Sequence, residues 1–219
     1  MKRIFYNLLT VVSLAVAVVS CNNTSKEVKT TNAENVAEAQ VTSTKYIANA
    51  EASLIEWVGS KPTGSKHNGT INIESGVFTV SDGKLESGTF LIDMNSIVDL
   101  DIPADKKGNA KLVGHLKSAD FFDVEKFPNA AFEVTGLEEA DGKTLLSGNL
   151  KMKDIENNIT IPVSLTSEGD NFTITSETFT IDRSKWNVQY NSGSFFDNLG
   201  DKLINDDIEL KITVVGKKS

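Results

Sequence analysis

A single cysteine, Cys21, in a chain of 219 residues rules out an intrachain disulfide, so the folded part must be held by packing. Histidine is almost as scarce. His67 and His115 lie far apart in sequence, and each reads as a structural group before it reads as a ligand or base. The short motifs of hydrolytic, metalloprotease and nucleotide chemistry are absent: no G-x-S-x-G elbow, no H-E-x-x-H, no Walker loop and no G-x-G-x-x-G. The acidic stretch Asp99-Leu-Asp-Ile-Pro-Ala-Asp105 lacks the glycine spacing of a calcium loop and reads as a solvated connection. No catalytic residue and no metal ligand is therefore assigned, and no cofactor is required. A spatial pair of carboxylates for sugar cleavage stays as a minor alternative, because Asp and Glu are plentiful. Basic stripes are missing too. The chain carries a formal charge of −8, which excludes nucleic acid as a partner, since phosphate contacts need clustered Lys and Arg.

Only one long apolar run exists, from Leu8 to Val19, preceded by Lys2 and Arg3 and followed by Val18-Val19-Ser20-Cys21. A positive start, an apolar stretch too short for a stable span and a small residue before cysteine make residues 1–20 resemble a lipoprotein signal peptide. The alternative is a short membrane anchor with an incidental cysteine. By resemblance to lipoproteins, cleavage falls before Cys21, which would carry a diacylglyceryl group and an amide-linked acyl chain. Two or more chains hold a membrane firmly where one does so only marginally. Loss of Lys2 and Arg3 leaves 20 basic against 30 acidic residues, so the fatty anchor, not surface charge, has to supply membrane attachment. Residues 21–44 are Asn, Thr, Ser, Glu, Lys and Ala with almost no large apolar side chain, which predicts a disordered tether with a reach of about 25–30 Å. Residues 45–219 then form one domain with a single core.

Within that domain apolar and polar residues alternate with period two. Ile71 and Ile73, Phe78 and Val80, Phe90, Ile92 and Met94, Phe132 and Val134, Leu146, Leu150 and Met152, and Ile159, Ile161 and Val163 each share one side of an extended segment. Near the end, Ile208, Leu210, Ile212 and Val214 do the same. Hairpin turns are expected at Ser75-Gly76, Asp82-Gly83, Asp141-Gly142 and Glu168-Gly169-Asp170-Asn171. Between Phe172/Ile174 and Phe179/Ile181 the parity slips, which predicts a bulge or bend near Ser176-Glu177. Only Leu112 to Phe122, and to a lesser degree Phe195 to Leu203, look helical. The fold class is all-β with short helical lids. Periodicity leaves open whether the strands pack as two sheets or close into a barrel, and whether a barrel is filled or hollow.

The most distinctive stretch is His115-Leu-Lys-Ser-Ala-Asp-Phe-Phe-Asp-Val-Glu-Lys-Phe-Pro-Asn-Ala-Ala-Phe132. Ser118 can cap the turn that follows a helical start, Pro128 stops any helix, and paired phenylalanines are core anchors on physics alone. Together with Gly69-Thr-Ile-Asn-Ile73, Gly88-Thr-Phe-Leu-Ile-Asp-Met-Asn-Ser-Ile97, Gly148-Asn-Leu-Lys-Met-Lys153 and Phe179-Thr-Ile-Asp-Arg-Ser-Lys-Trp186, it resembles the YceI-like family of bacterial envelope proteins. The resemblance runs from about Lys45 to Val215. It departs at Val113-Gly114, where many members have a basic and an acidic residue, and in the lipobox, where many are free periplasmic proteins.

This resemblance implies a lipocalin-like extended eight-stranded antiparallel β-barrel with one or two short helices and a long apolar pocket. Its ligand would be an apolar lipid of the polyisoprenoid or quinone type, held for storage, transport or envelope protection. Inward parity and the resemblance together assign the lining to Phe90, Ile92, Met94, Phe121, Phe122, Phe132, Val134, Leu150, Ile161, Phe179, Ile181 and Trp186, with ordinary core packing as the rival for each. His115, Asp182 and Arg183 would stand at a headgroup or rim. Asp182-Arg183 beside Trp186 reads first as an ion pair with a stacked indole and second as a headgroup clasp. The resemblance leaves room for a homodimer. Location is the cell envelope, anchored through Cys21, with the outer membrane favoured by Asn22 after the cysteine. The rivals are a ligand-free structural envelope protein with a filled barrel and, further off, a hydrolase.

Overall fold

Each alternating segment has one oily face, and a helix of eleven residues cannot cover so many, so the strands bury those faces by curling round on one another. The computed structural model describes residues 27–219. Residues 1–20, read as a signal peptide, and Cys21 lie outside the described residues. The strands are β1 (Thr30–Asn32), β2 (Thr44–Ala48), β3 (Leu54–Ser60), β4 (Lys66–Ser81), β5 (Lys84–Asp99), β6 (Asn129–Ala140), β7 (Lys143–Met152), β8 (Ile155–Glu168), β9 (Asn171–Ser176), β10 (Phe179–Asp182) and β11 (Asp207–Lys218), with one helix, α1 (Lys107–Lys117), between β5 and β6. Antiparallel pairing closes eight of them into a ring in the order β3, β4, β5, β6, β7, β8, β9, β11 and back to β3. The barrel expected from the family resemblance is the fold observed.

Three short strands complete the wall. On β4 and β11, β3 pairs toward one end of the barrel and β2 toward the other. β9 and β10 divide the opposite edge of β11 in the same way. The break between them falls at Glu177, whose N–H donates to Pro162 O at 3.0 Å, so the parity slip at Ser176-Glu177 is a bend that ends one strand before the next begins. This bend leaves part of the β8 edge without β9. β1 fills it, pairing Thr30, Thr31 and Asn32 with Ile159, Asn158 and Asn157, while Val28 N–H donates to Thr180 O on β10 at 2.9 Å.

The chain from Val28 to Ala37 therefore belongs to the wall, although it falls inside the stretch read as a tether. Beyond β1 it crosses the outside of β7, where the Asn149 amide pairs with the Glu34 main chain, accepting from N–H at 3.0 Å and donating to O at 2.7 Å. It reaches β6, with Ala37 N–H on Val134 O at 2.9 Å. Asn149 and Asn158 face outward by parity and are nevertheless 3% and 2% exposed, because this segment covers them. Composition could not show that: the segment is ordered mainly by a free strand edge and two amides, with Val28 and Ala37 as its apolar contacts to the core.

Other expectations shift. Ser75-Gly76 is no hairpin turn but part of a bulge, with register shifts on either side of Asn72–Ile73 in a single sixteen-residue β4. The bulge moves the inward residues of β4 from odd to even numbers, from Ile73 to Phe78. An unforeseen two-residue turn lies at Lys153-Asp154, where both residues have positive φ (50° and 63°) without any glycine. Helix α1 starts five residues earlier than expected and stops at Ser118, whose hydroxyl donates to His115 O at 2.8 Å. Phe121 and Phe122 thus sit in the turn after the helix. Phe195 to Leu203 forms only the short 3-10 turn Gly200–Lys202, and a second such turn, Arg183–Trp186, follows β10.

At the end of the barrel closed by β2 and β9, aromatic rings meet in the middle. Phe78 stacks on Tyr46 at 5.4 Å between centroids and lies 5.8 Å from Phe90 and 5.9 Å from Phe172. A Cβ on Gly216 would come within 2.2 Å of Phe78 Cζ, so that strand position has to be glycine for the ring to lie flat on the backbone. This end is a solid core.

Candidate functional site

At the opposite end the interior is empty. A cavity of about 210 Å³ lies between β3, β4, β5, β6, β7, β8, β10, β11 and α1. A single water needs only about 10–15 Å³ in the same measure, so the space suits a chain of atoms. A smaller cavity of about 40 Å³ continues toward the closed end, and both share Ile55, Ile92, Phe132 and Ile212 as walls. The two cavities adjoin across these four side chains, with the smaller one on the side of the ring cluster.

Placement of the expected lining follows depth. Ile92, Met94, Phe121, Phe122, Phe132, Leu150, Phe179 and Ile181 wall the large chamber, and Phe90, Ile161 and again Ile92 and Phe132 the small one. Val134 and Trp186 wall neither. Val134 is fully buried by core packing, and Trp186 is spent on the structure, its indole N–H donating to Leu150 O at 2.9 Å. Sequence reading missed Ile55, Trp57, Ile71, Leu112, Leu116, Ala130, Met152, Ile159, Ile208, Leu210 and Ile212 as walls of the large chamber. Most have the right parity, but alternation reports inward or outward and not position along the axis. Phe132 lies over Gly148, where a Cβ would stand 2.1 Å from its Cζ, and this close approach draws the ring back from the tunnel axis.

The polar walls of the large chamber gather at one end: Ser60, Lys61, Ser65 and His67 around the β3–β4 hairpin, His115 on α1, and Arg183 and Asn205 on the far side, while the small chamber has Ser176 alone. Ser65 is exposed, so the chamber meets solvent there. This mouth is laced shut in part. Asn205 N–H donates to Ser60 O at 2.9 Å, its amide donates to Ser60 Oγ at 2.8 Å, and Lys61 Nζ donates to Asp201 O at 3.2 Å.

The expected rim residues divide. His115 walls the chamber, edge-on to Tyr190 at 4.4 Å and Phe121 at 5.4 Å, with Nε2 3.3 Å from Asp120 Oδ2. Arg183 pairs with Asp206 at 3.2 Å and not with Asp182, and its guanidinium lies over Phe121, 5.5 Å from the ring centroid, not on Trp186. Its Nη1 donates to Val188 O at 2.7 Å, and Nη2 to Tyr190 O at 3.0 Å and Ile204 O at 3.2 Å. Burial pushes its pKa down, with Asp206 and Asp182 opposing. A guanidinium so fully engaged is a clamp on the 183–206 loops, which answers the rim question in favour of the structural reading. Asp182 instead caps the 3-10 turn through Ser184 N–H at 2.9 Å and pairs with Lys185 at 3.7 Å. Lys153 reaches across the outside to Phe121 O at 2.8 Å; burial lowers its pKa, Asp123 opposing and Lys126 adding to the effect. Phe121 is thus held at its ring by Arg183 and at its carbonyl by Lys153.

Residues 46–216 match the YceI-like domain. The chain belongs to the YceI-like family. Among curated relatives, the proteins named YceI of Salmonella arizonae and Salmonella paratyphi B are 34% identical over 56 residues, a match covering 26% of this chain and 29% of theirs. Among solved structures, BcnA of Burkholderia cenocepacia superposes with a TM-score of 0.56 at 20% identity, over 77% of this chain and 98% of that one. A polyisoprenoid binding domain from Saccharophagus degradans, implicated in plant cell wall breakdown, superposes with a TM-score of 0.57 at 14% identity, over 80% and 98%. At such identities the likeness is one of fold. Among the described residues no helix is long and apolar enough to cross a membrane, which says nothing of strands.

Proposed function

We propose that this YceI-like protein is a non-enzymatic binding protein that takes a long-chain apolar lipid of polyisoprenoid or quinone type into the barrel, tail first. Its anchor would be acylated Cys21, in the bacterial envelope and by preference at the outer membrane. The observation that carries the reading is the pair of adjoining cavities along the barrel axis, walled mainly by apolar side chains, with the charged and imidazole groups confined to the mouth. Magnitudes favour a chain over a fragment. Burying a methylene is worth about 0.8 kcal/mol, so a five-carbon unit yields roughly 3–4 kcal/mol. Association costs about 4–15 kcal/mol in lost freedom, so one unit barely binds and several bind well. The Saccharophagus domain, by its description a polyisoprenoid binder of the same fold, supports the choice of ligand class.

The test is mass spectrometry of an organic extract of the protein purified from its own membranes. A stoichiometric long apolar lipid is expected, and F132D, if folded by circular dichroism, should carry none. An extract with nothing stoichiometric would favour the filled structural barrel. Turnover of ester or glycoside substrates by lipid-free protein would make it an enzyme instead.

A further inference from the structure

At the open end of the barrel β5 ends in Asp99, opposite Gly69 on β4, and the chain turns back over His67 before reaching α1. Asp99 is 5% exposed. Its Oδ2 accepts from Ile102 N–H at 3.0 Å and from the Asn109 amide at 3.2 Å, which fixes the carboxylate in place. Its Oδ1 is equally buried and accepts no hydrogen bond. Beside it stand Asp101, whose Oδ1 accepts from Asn68 N–H at 2.9 Å, and the His67 ring, whose Nδ1 lies 2.9 Å from Asp101 Oδ2. One ligand atom from each of His67, Asp99 and Asp101 lies within 4.8 Å of the other two. Leaving a carboxylate oxygen buried without a donor is costly, and placing a second carboxylate next to it adds repulsion.

We propose that His67, Asp99 and Asp101 form a binding site for a divalent transition-metal ion. Two carboxylates and a neutral imidazole present a charge of −2, which a divalent ion balances, and such an ion supplies the positive partner that Asp99 Oδ1 lacks. Zinc takes imidazole nitrogen and carboxylate oxygen at about 2.0–2.2 Å, so three atoms within 4.8 Å of one another reach one ion after side-chain adjustment, His67 and Asp101 parting a little to admit it. Imidazole with carboxylates suits zinc and its neighbours, whereas calcium asks for six to eight oxygens, more than this cluster supplies. His67 and Asp101 are partly exposed, with side chains 41% and 31% accessible, so water completes the coordination and the ion has a path in. The three ligands come from the start of β4, the end of β5 and the connection just beyond it. His67 also walls the mouth of the large chamber, so the ion would sit where the tunnel opens.

The probe is Zn²⁺, titrated calorimetrically into the full chain after chelator treatment and without a polyhistidine tag. Saturable binding of one ion per chain is expected, together with a rise in the thermal midpoint. H67A and D101A change only partly exposed side chains and should fold; each should weaken binding by at least about ten-fold. D99N, which also disturbs Ile102 and Asn109, serves as a third variant only if its circular dichroism is unchanged. D105N, an exposed acid of the same connection, should bind as the parent does. Absence of saturable binding up to about 1 mM Zn²⁺ would overturn the site and point to a proton shared by the two aspartates. So would undiminished binding in both H67A and D101A, or tighter binding of Ca²⁺ than of Zn²⁺.

Discussion

At one end of the barrel Tyr46 stacks on Phe78, with Phe90 and Phe172 tilted against them, and the four leave no room; at the other Phe121, Phe122 and Phe132 stand around a void. The strands are largely the same ones, and so is their alternation. What differs is who completes the wall and what backs the rings. At the closed end β2 and β9 complete the wall, and Gly216 on β11 and Gly88 on β5 lie under the rings, so the aromatics pack inward on bare backbone. At the open end β10 replaces β9, β1 is inserted between β8 and β10, and α1 with its following turn holds Phe121 and Phe122 at the edge. An added strand enlarges the girth, because barrel diameter grows with strand number. Stability and ligand capacity should therefore separate along the axis.

The largest effect expected from testing this division is at the closed end. F78A removes a ring that is 1% exposed and should cost about 3–5 kcal/mol in urea unfolding, while a variant that still folds keeps its lipid. R183K comes next. It withdraws the fork that holds carbonyls of Val188, Tyr190 and Ile204, and a loss of about 2–4 kcal/mol is expected, with the chamber mouth disturbed as well. G148A should cost about 1–3 kcal/mol by overpacking, yet reduce co-purified lipid sharply, since Phe132 has nowhere to move but into the tunnel. The smallest effect is K61A. Stability should stay within about 0.5 kcal/mol, while exchange of a fluorescent fatty probe quickens because the Lys61 to Asp201 contact across the mouth is gone. Equal lipid loss in F78A and G148A, with both folded, would erase the distinction between the two ends.

Much of the ring could be read from the sequence. Period-two alternation located nearly every long strand, and the turns at Asp82-Gly83 and Asp141-Gly142 are real, with positive φ at both residues of each. Lys153-Asp154 escaped notice because nothing in its residue types announces a left-handed pair. Ser75-Gly76 misled for the opposite reason: a bulge uses the same small residues as a turn, and only the partner strand tells them apart. In the candidate site, parity found inward residues such as Phe179 and Ile181 but could not separate Val134, deep in packed core, from Phe132 two residues earlier on the tunnel wall. Arg183 with Asp206, and His67 with Asp101, join residues 23 and 34 positions apart whose meeting depends on how the loops at the mouth fold back.

The segment from Val28 to Asn32 is both the start of the described chain and a stave of the barrel. Tension applied ahead of Glu27 is borne first by its bridge to Thr180, by the Val28 hydrogen bond to Thr180 O and by three strand pairs on β8. Should these part, the breach lies sideways, between Ile159 on one flank and Phe179 and Ile181 on the other, all three of them chamber walls. A force probe attached at the amino terminus would register that parting as a small early step, well before the ring itself gives way. A leash fixed there is thus also a draw-cord, able to unseam the container along its flank while the mouth stays laced.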